Sequence, residues 1–321
     1  MSTVLSHQPL RLARAPLVHT ILFALLIGLP CRFAVATEWV RDLSVATWNF
    51  ENLSSAHGSG LFSGRSFERT ERDFDAFRKY VIETSADVFL LQEVASPKAM
   101  RLVLPAKYSY LVAPAYFDST QAAPAIHTGI AFDPAVVKVI GTLAIPTGIT
   151  YTDSAGRPTR ARDTVGIQLA WGATRVWVFS AHLKSSCSRK TPPTDNASTD
   201  CNVLQQQLLV LRDWVTRLRA DGALVIIGGD FNRRGDPDDA TDPYLSLLDT
   251  PTDTKMLVRP LQRDCASFSG KDRRPIDYFV LYGLQNAMTQ VREINIHEHD
   301  LRAGFKLSDH CPVRLQLSPA R

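Results

Sequence analysis

VIIGGDFNRRG, residues 225 to 235, carries an apolar run, Leu224 to Ile227, into two glycines and then into Asp230-Phe231-Asn232. An apolar run of this length, bounded by glycine, fits a strand buried on both faces. Gly228 and Gly229 remove a Cβ where the chain bends or where something approaches closely. A carboxylate and a carboxamide then stand two residues apart, and they share a face if the strand continues that far. The competing reading is a strand end followed by an Asp/Asn turn. The choice between the two depends on the rest of the chain.

Working outward, Val203 to Arg219 places Leu204, Leu208, Leu211, Val215 and Leu218 on one helical face, and Gly222 stands where a C-terminal cap belongs. Before it lies a strand near 174–182, which carries VWVFSAHL (176–183). After the opening stretch come a short helix at 242–249 and strands at 276–281, 290–296 and 311–317. Toward the N-terminus, 42–48 alternates as a strand and 54–66 is a Ser/Gly-rich loop. Phe74, Phe77, Tyr80 and Val81 mark a helix over 67–84, and 87–91 is an apolar strand. That strand–helix–strand order is βαβ-like. Short strands near 107–112, 127–133, 136–144 and 162–170 follow, punctuated by Pro134, Pro146 and the 153–158 turn cluster, with no helical period. The expected fold is an α/β (α+β) four-layer sandwich: two mostly antiparallel sheets face to face, with helices outside.

The chain has 321 residues, 45% of them hydrophobic and 21% charged, as in an ordinary globular protein. Residues 1–36 read as a signal peptide: Arg11 and Arg14 flank the apolar stretch Leu17 to Leu29, and Ala34-Val35-Ala36 is an A-x-A cleavage site. Residues 37–321 then form a single domain, and the expected location is secreted or periplasmic. Taking Arg11, Arg14 and Arg32 from the formal charge of +4 leaves +1, so global charge neither demands nor excludes a nucleic-acid partner. Export favours a disulfide between Cys187 and Cys201, which bracket a polar loop, and closing such a loop is worth roughly 3 kcal/mol. Cys311, ahead of a strand, is expected as a buried thiol, and Cys265 is left unassigned. No C-x-x-C occurs, which argues against a thiolate zinc site.

Polar residues recur where apolar strands end: Asn49 and Glu51, Glu93, His182, Asp230 and Asn232, Asp277, and Asp309-His310. Each alone has a structural explanation, as a strand-end carboxylate, a satisfied core histidine or a buried hydrogen-bond partner. Six strands ending this way are hard to explain as solvation. Carboxylate and amide oxygens are hard ligands suited to Mg²⁺, with Mn²⁺ or Ca²⁺ as alternatives. Together with two histidines they suit metal-assisted phosphoester cleavage, which needs an activated water, a charge clamp and help for the leaving oxygen.

The blocks TWNFEN, LLQEV, FSAHLKS, GGDFN, IDYFV and SDHCPV, in that order from about residue 42 to 317, resemble the endonuclease/exonuclease/phosphatase superfamily, in its deoxyribonuclease I-like, exported bacterial form. The resemblance implies that Glu93 is the principal metal ligand, helped by Asn49 and Glu51, with Asp309 completing the metal environment. It implies that His310 acts as general acid/base or contacts the phosphate, held in its tautomer by Asp277. Asp230 would orient or deprotonate the attacking water, and Asn232 would donate to a phosphate oxygen. His182 matches the second histidine of the deoxyribonuclease and sphingomyelinase branches, where the abasic-site enzymes have a tyrosine. Arg162 and Lys184 are the candidate phosphate-binding cations, and His127 is read as structural.

For substrate, export, the HLKS block and the basic residues Arg65, Arg69, Lys184, Arg189, Lys190, Arg233, Arg234, Lys271, Arg273 and Arg274 in or beside the motif loops favour a nucleic acid, DNA before RNA. The alternatives are a phospholipid or sugar-phosphate phosphoesterase on the same site, for which Leu61-Phe62 is a small candidate membrane contact, and a binding protein that has lost catalysis. No stable protein partner is inferred.

Overall fold

Strand parity organises the molecule, because each central strand is buried on both faces and sends alternate side chains to different layers. The computed structural model describes residues 41–54, 69–113, 126–187, 193, 198–233, 242–251, 255–260, 275–284 and 287–318. In chain order the elements are β1 (Leu43–Leu53), α1 (Glu71–Thr84), β2 (Val88–Val94), α2 (Pro97–Val103), β3 (Ser109–Val112), β4 (His127–Phe132), β5 (Lys138–Ile145), β6 (Thr150–Thr152) and β7 (Pro158–Arg160). There follow β8 (Thr164–Trp171), β9 (Thr174–His182), α3 (Thr199–Ala220) and β10 (Leu224–Asp230). A 3₁₀ turn (Leu245–Leu248), β11 (Met256–Val258), β12 (Asp277–Tyr282), β13 (Met288–Glu293), α4 (Glu298–Arg302) and β14 (Val313–Ser318) complete the chain.

Two six-stranded sheets result, ordered β13-β14-β1-β2-β4-β3 and β11-β12-β10-β9-β8-β5, with β6-β7 as a separate hairpin. Each sheet is antiparallel except for one central parallel pair, β1 with β2 and β9 with β10. Those are the two pairs joined by long helices, α1 and α3, as a parallel crossover requires. The four layers follow. Ala46, Trp48, Phe50, Phe89 and Leu91 pack outward with Phe74, Phe77 and Tyr80 of α1. Phe179, Val225, Ile227, Val280 and Tyr282 pack outward with Leu204, Leu208, Leu211 and Val215 of α3. Val45, Leu90, Ile130, Ile167, Val178, Ile226, Phe279 and Leu315 fill the seam between the sheets.

Helix α1 begins at Glu71, later than the periodicity suggests, because Thr70 caps it. Its backbone N–H and Oγ1 both reach Asp73 Oδ2, at 2.7 and 2.8 Å. Helix α2 and the β6-β7 hairpin escape the periodicity reading, as both are too short to show a period. Gly222 takes a left-handed φ of +76° just past α3, as a C-terminal glycine should.

Cys187 and Cys201 are joined, tying the segment after β9 to the start of α3. Cys311 corrects the expectation of a free thiol: it is disulfide-bonded, and its partner lies outside the described residues, as does Cys265. The same holds for residues 1–36, for 55–66 of the expected loop, and for Arg65, Arg189, Lys190, Arg234, Lys271, Arg273 and Arg274. Among the described residues no helix is long and apolar enough to cross a membrane.

The two glycines of the opening stretch serve sheet packing. A Cβ on Gly228 would lie 2.6 Å from Leu90 Cδ1 and from Phe279 Cε1, in the seam between the sheets. A Cβ on Gly229 would lie 1.9 Å from the carbonyl oxygen of Ala181 on the paired strand. That oxygen belongs to the sheet ladder and cannot step aside. Gly229→Ala should therefore cost on the order of 3 kcal/mol in urea unfolding, and a loss below about 0.5 kcal/mol would contradict this packing.

Candidate active site

Along the seam the side chains change from apolar to polar to charged toward one end. On β1 the inner positions run Val45, Thr47, Asn49; on β2, Leu90 then Gln92; on β9, Val178, Ser180, His182; on β10, Ile226, Gly228, Asp230; on β12, Phe279 then Asp277. The middle row satisfies itself: Gln92 Nε2 donates to Ser180 Oγ at 3.1 Å, and Ser180 Oγ donates to the Leu91 carbonyl at 2.9 Å. The last row opens into a cavity of about 390 Å³ lined by Asn49, Glu51, Asn52, Glu93, Arg162, His182, Ser185, Asp230, Asn232, Asp309 and His310. Sheet register sets Asp230 beside His182 on one neighbour and Asp277 on the other.

Glu51 continues the inner series of β1, whereas Glu93 reaches the cavity by a different device. The β1–β2 register shifts between Asn49 and Leu53, and the β2–β4 register shifts between Leu91 and Val94. Bulges of this kind re-aim side chains. Glu51, Asn52, Glu93 and Asn232 all adopt left-handed φ values, +47°, +59°, +58° and +50°, and all four line the cavity. Non-glycine residues held there concentrate at functional sites. The strand therefore does not carry Asp230 and Asn232 onto one face. It ends at Asp230, and Asn232 turns back so that its N–H donates to Asp230 Oδ1 at 2.8 Å while its Nδ2 donates to the Leu183 carbonyl at 2.9 Å.

His310 is held by a chain of bonds. Ser308 Oγ donates to the Asn49 carbonyl at 2.5 Å and accepts from the His310 N–H at 3.0 Å, and Trp48 Nε1 donates to the His310 carbonyl at 2.9 Å. His310 Nδ1 lies 2.8 Å from Asp277 Oδ2. That leaves Nε2 facing Asp230 Oδ2 and Asp309 Oδ1, at 3.8 and 3.7 Å. His182 Nε2 lies 3.7 Å from the same Asp230 oxygen and 3.8 Å from Glu93 Oε1. Asn49 Nδ2 donates to Asp230 Oδ2 at 3.1 Å, and its Oδ1 accepts from the Glu51 N–H at 3.0 Å. Glu93 Oε2 accepts from the Asn52 N–H at 3.0 Å, and Glu51 Oε2 from the Asp309 N–H at 2.9 Å.

These contacts separate the two histidines electrostatically. Burial alone would lower His310, but the Asp277 carboxylate, then Asp230 and Asp309, outweigh it and push its pKa up to about 10. Burial, then the nearby Arg162 and His310 charges, pull His182 well below its ordinary range. Near neutral pH His310 is a cation and His182 is neutral. Burial, against the opposing His310 charge, raises Asp230 to about 7. Burial, then the Asp309 carboxylate, raises Glu51 to about 7.

Two groups of side chains could hold a cation. Asp230, Asp277 and His310 have ligand atoms within 4.8 Å of one another. Glu51, Glu93 and Asp309 stand further apart around the same cavity, with the Asn49 amide between. The second set suits a hard divalent cation better by its chemistry. In the first, His310 Nδ1 is already bonded to Asp277, and a charged imidazole offers no lone pair. The second set is made of hard oxygen donors, which suit a divalent cation.

Arg162 apart, the candidate cations are placed differently from expectation. Arg162 lines the cavity. Its neighbour Arg160 does not, and instead forks onto Asp163 at 2.9 and 3.1 Å. Lys184 is also outside the lining. Its Nζ pairs with Asp200 of α3 at 2.7 Å, because its strand-end position faces that helix. Arg69 and Arg233 are buried struts rather than parts of an exposed rim. Arg69 donates to the Phe50 and Lys306 carbonyls, and Arg233 pairs with Asp242 at 2.6 Å and donates to the Cys187 carbonyl. His127 stays out of the lining. Asn52 and Ser185, which sequence reasoning passed over, are in it. Both lie inside blocks already singled out, TWNFEN and FSAHLKS.

The sequence pattern of the endonuclease/exonuclease/phosphatase family matches residues 46–310. A search of curated proteins found no match. Similar solved structures include TDP2 from D. rerio complexed with a single-strand DNA product, 18% identical with a TM-score of 0.57 over 87% of this chain and 99% of that one. An endonuclease/exonuclease/phosphatase from Bacteroides vulgatus is 14% identical, with a TM-score of 0.58 over 87% and 99%. The human Nocturnin catalytic domain with bound sulfate is 14% identical, with a TM-score of 0.50 over 86% and 94%. At such identities the likeness concerns the fold.

The charge assignment has a sign that can be measured. His310 has a folded pKa near 10 against 6.5 for an unperturbed histidine. Its ion pair therefore contributes fully below about pH 6.5, and the contribution is lost as pH rises through about 10. An NMR titration of the metal-free protein should show His310 still charged at about pH 8 and His182 neutral, with Asp277→Asn moving the His310 midpoint down. A wild-type His310 that loses its proton near pH 6.5 would contradict the assignment.

Proposed function

We propose that this chain, which belongs to the endonuclease/exonuclease/phosphatase family, is a divalent-metal-dependent phosphodiesterase that hydrolyses nucleic acid, DNA foremost. The single observation that carries the reading is the row of Asp230, His182, Asp277 and His310 at the end of the seam, facing Glu93, Glu51 and Asp309 across one cavity. The family's name covers phosphoester hydrolases. That a similarly folded protein, TDP2, is complexed with a DNA product supports the choice of substrate.

The geometry suits an in-line attack by water. Asp230, with a pKa raised to about 7, is matched to accept a proton near neutral pH. Asn49 and Asn232 hold its two oxygens in place. His310, charged and aimed by Asp277, donates a hydrogen bond or a proton to the phosphoryl group or its leaving oxygen. Neutral His182 donates from Nε2, and Arg162 adds a fixed positive charge at the same wall. Glu93, Glu51, Asp309 and the Asn49 amide oxygen would hold the cation, Mg²⁺ in our reading with Mn²⁺ or Ca²⁺ as substitutes. When bound there it supplies positive charge to the phosphate oxygens.

We further propose that the protein acts after export, to the periplasm or beyond, as a mature chain from about Thr37. The apolar stretch Leu17 to Leu29 and the A-x-A site support this, and disulfide-bonded Cys187, Cys201 and Cys311 suit an oxidising compartment.

The test is a panel of metals against substrates with wild type and His310→Ala side by side. Wild type should nick plasmid DNA with Mg²⁺ and stop with EDTA, and His310→Ala should lose on the order of 10²-fold or more. Turnover of sphingomyelin or phosphomonoesters with little nicking would replace the nucleic-acid reading. No turnover of any phosphoester, with the variant equal to wild type, would point to a binding protein.

A further inference from the structure

Asn52, like Ser185, is a cavity residue to which the mechanism above gives no role. It sits on the bulged end of β1 at φ +59°, where glycine is the least strained residue. Its backbone N–H donates to Glu93 Oε2, and a glycine would do the same. What asparagine adds is the side-chain amide. Among the described residues its Oδ1 meets no hydrogen-bond donor, and it is shut off from bulk water. An acceptor in that position has lost its water without replacement, which is costly unless a guest supplies the missing positive end.

The surroundings narrow the guest. Asn52 lines the cavity beside Glu51, Glu93 and Asp309. A neutral oxygen among carboxylate oxygens complements a hard cation, and Asn carbonyls are ordinary ligands for such ions. We propose that Asn52 Oδ1 is a further ligand of the divalent cation, alongside Glu93, Glu51, Asp309 and Asn49. The inference rests on the cation placement made under the proposed function. An added protein ligand replaces a water without adding charge. It therefore favours Mn²⁺ or Ca²⁺ over Mg²⁺, which dehydrates reluctantly and keeps several waters. The competing arrangement exchanges the amide's oxygen and nitrogen, so that Nδ2 donates to a carboxylate and no cation contact exists.

Calorimetric titration of the full chain with Mn²⁺ and with Mg²⁺, without substrate, separates these arrangements. Asn52→Gly suits the backbone at this φ, so its metal-free melting temperature should stay close to wild type. Its Mn²⁺ affinity should fall on the order of 10-fold or more, with a smaller loss for Mg²⁺. The rise in melting temperature on adding Mn²⁺ should shrink in step. Asn52→Asp, which keeps the oxygen and adds charge, should bind at least as tightly as wild type. Unchanged Mn²⁺ affinity in Asn52→Gly, or equal weakening in Asn52→Asp, would overturn the assignment while leaving the phosphodiesterase reading intact. A wild-type chain that binds neither ion would overturn both.

Discussion

Two sheets that bury their inner faces against each other leave no room there for an unpartnered polar group, and the rest of this molecule follows from that constraint. Over most of the seam the strands obey it with Val, Leu, Ile and Phe. Toward one end they carry Thr47, Gln92 and Ser180, which bond to one another or to a carbonyl, and then Asn49, His182, Asp230 and Asp277. Asp277 and Asp230 are tolerated in the final row because each meets a group that compensates it, whereas His182 Nδ1 has no hydrogen-bond partner among the described residues. Asp277 meets His310, and Asp230 meets Asn49 and the Asn232 N–H. The site is therefore the open end of the core, and the rigidity of the core fixes its geometry.

The second structural element is backbone strain. An ideal strand would send Glu93 toward the helix layer along with Phe89 and Leu91. The irregularity in β2 breaks parity at that point and Glu93 turns into the cavity, while Glu51 keeps the inner parity of Thr47 and Asn49. Four left-handed non-glycine residues there represent a cost that packing elsewhere must offset. Helix α3 helps to hold the opposite wall. Its Gln207 accepts from the Lys184 N–H and donates to the Thr147 carbonyl, and the Cys187–Cys201 bond adds a covalent tie.

Much of this was legible in the sequence. Period-two and period-3.6 patterns located the long strands and helices, and the polar strand ends gave most of the cavity lining. GGDFN forms the strand end and turn of the second reading, and that turn is also one wall of the cavity. What was not legible depends on partners distant in sequence. Nothing near Lys184 announces Asp200, and nothing near Arg233 announces that Asp242 will bury it. Bulges arise from pairing between strands, so the left-handed Asn52 looked like any other loop asparagine. The Ser96-Pro97 start of α2 was a local signal available and unused, as was the Thr70–Asp73 box of α1: Ser96 Oγ accepts from the Ala99 N–H at 3.1 Å.

The central claim is a division of labour: a cation on the Glu93 side of the cavity, and a charged His310–Asp277 pair on the other. Anomalous diffraction from crystals soaked in Mn²⁺ tests it most directly. The account predicts a single peak within coordination distance, about 2.0–2.6 Å, of oxygens from Glu93 and its neighbours Glu51, Asp309 or Asn49. A peak bonded instead to His310 and Asp277 would contradict it.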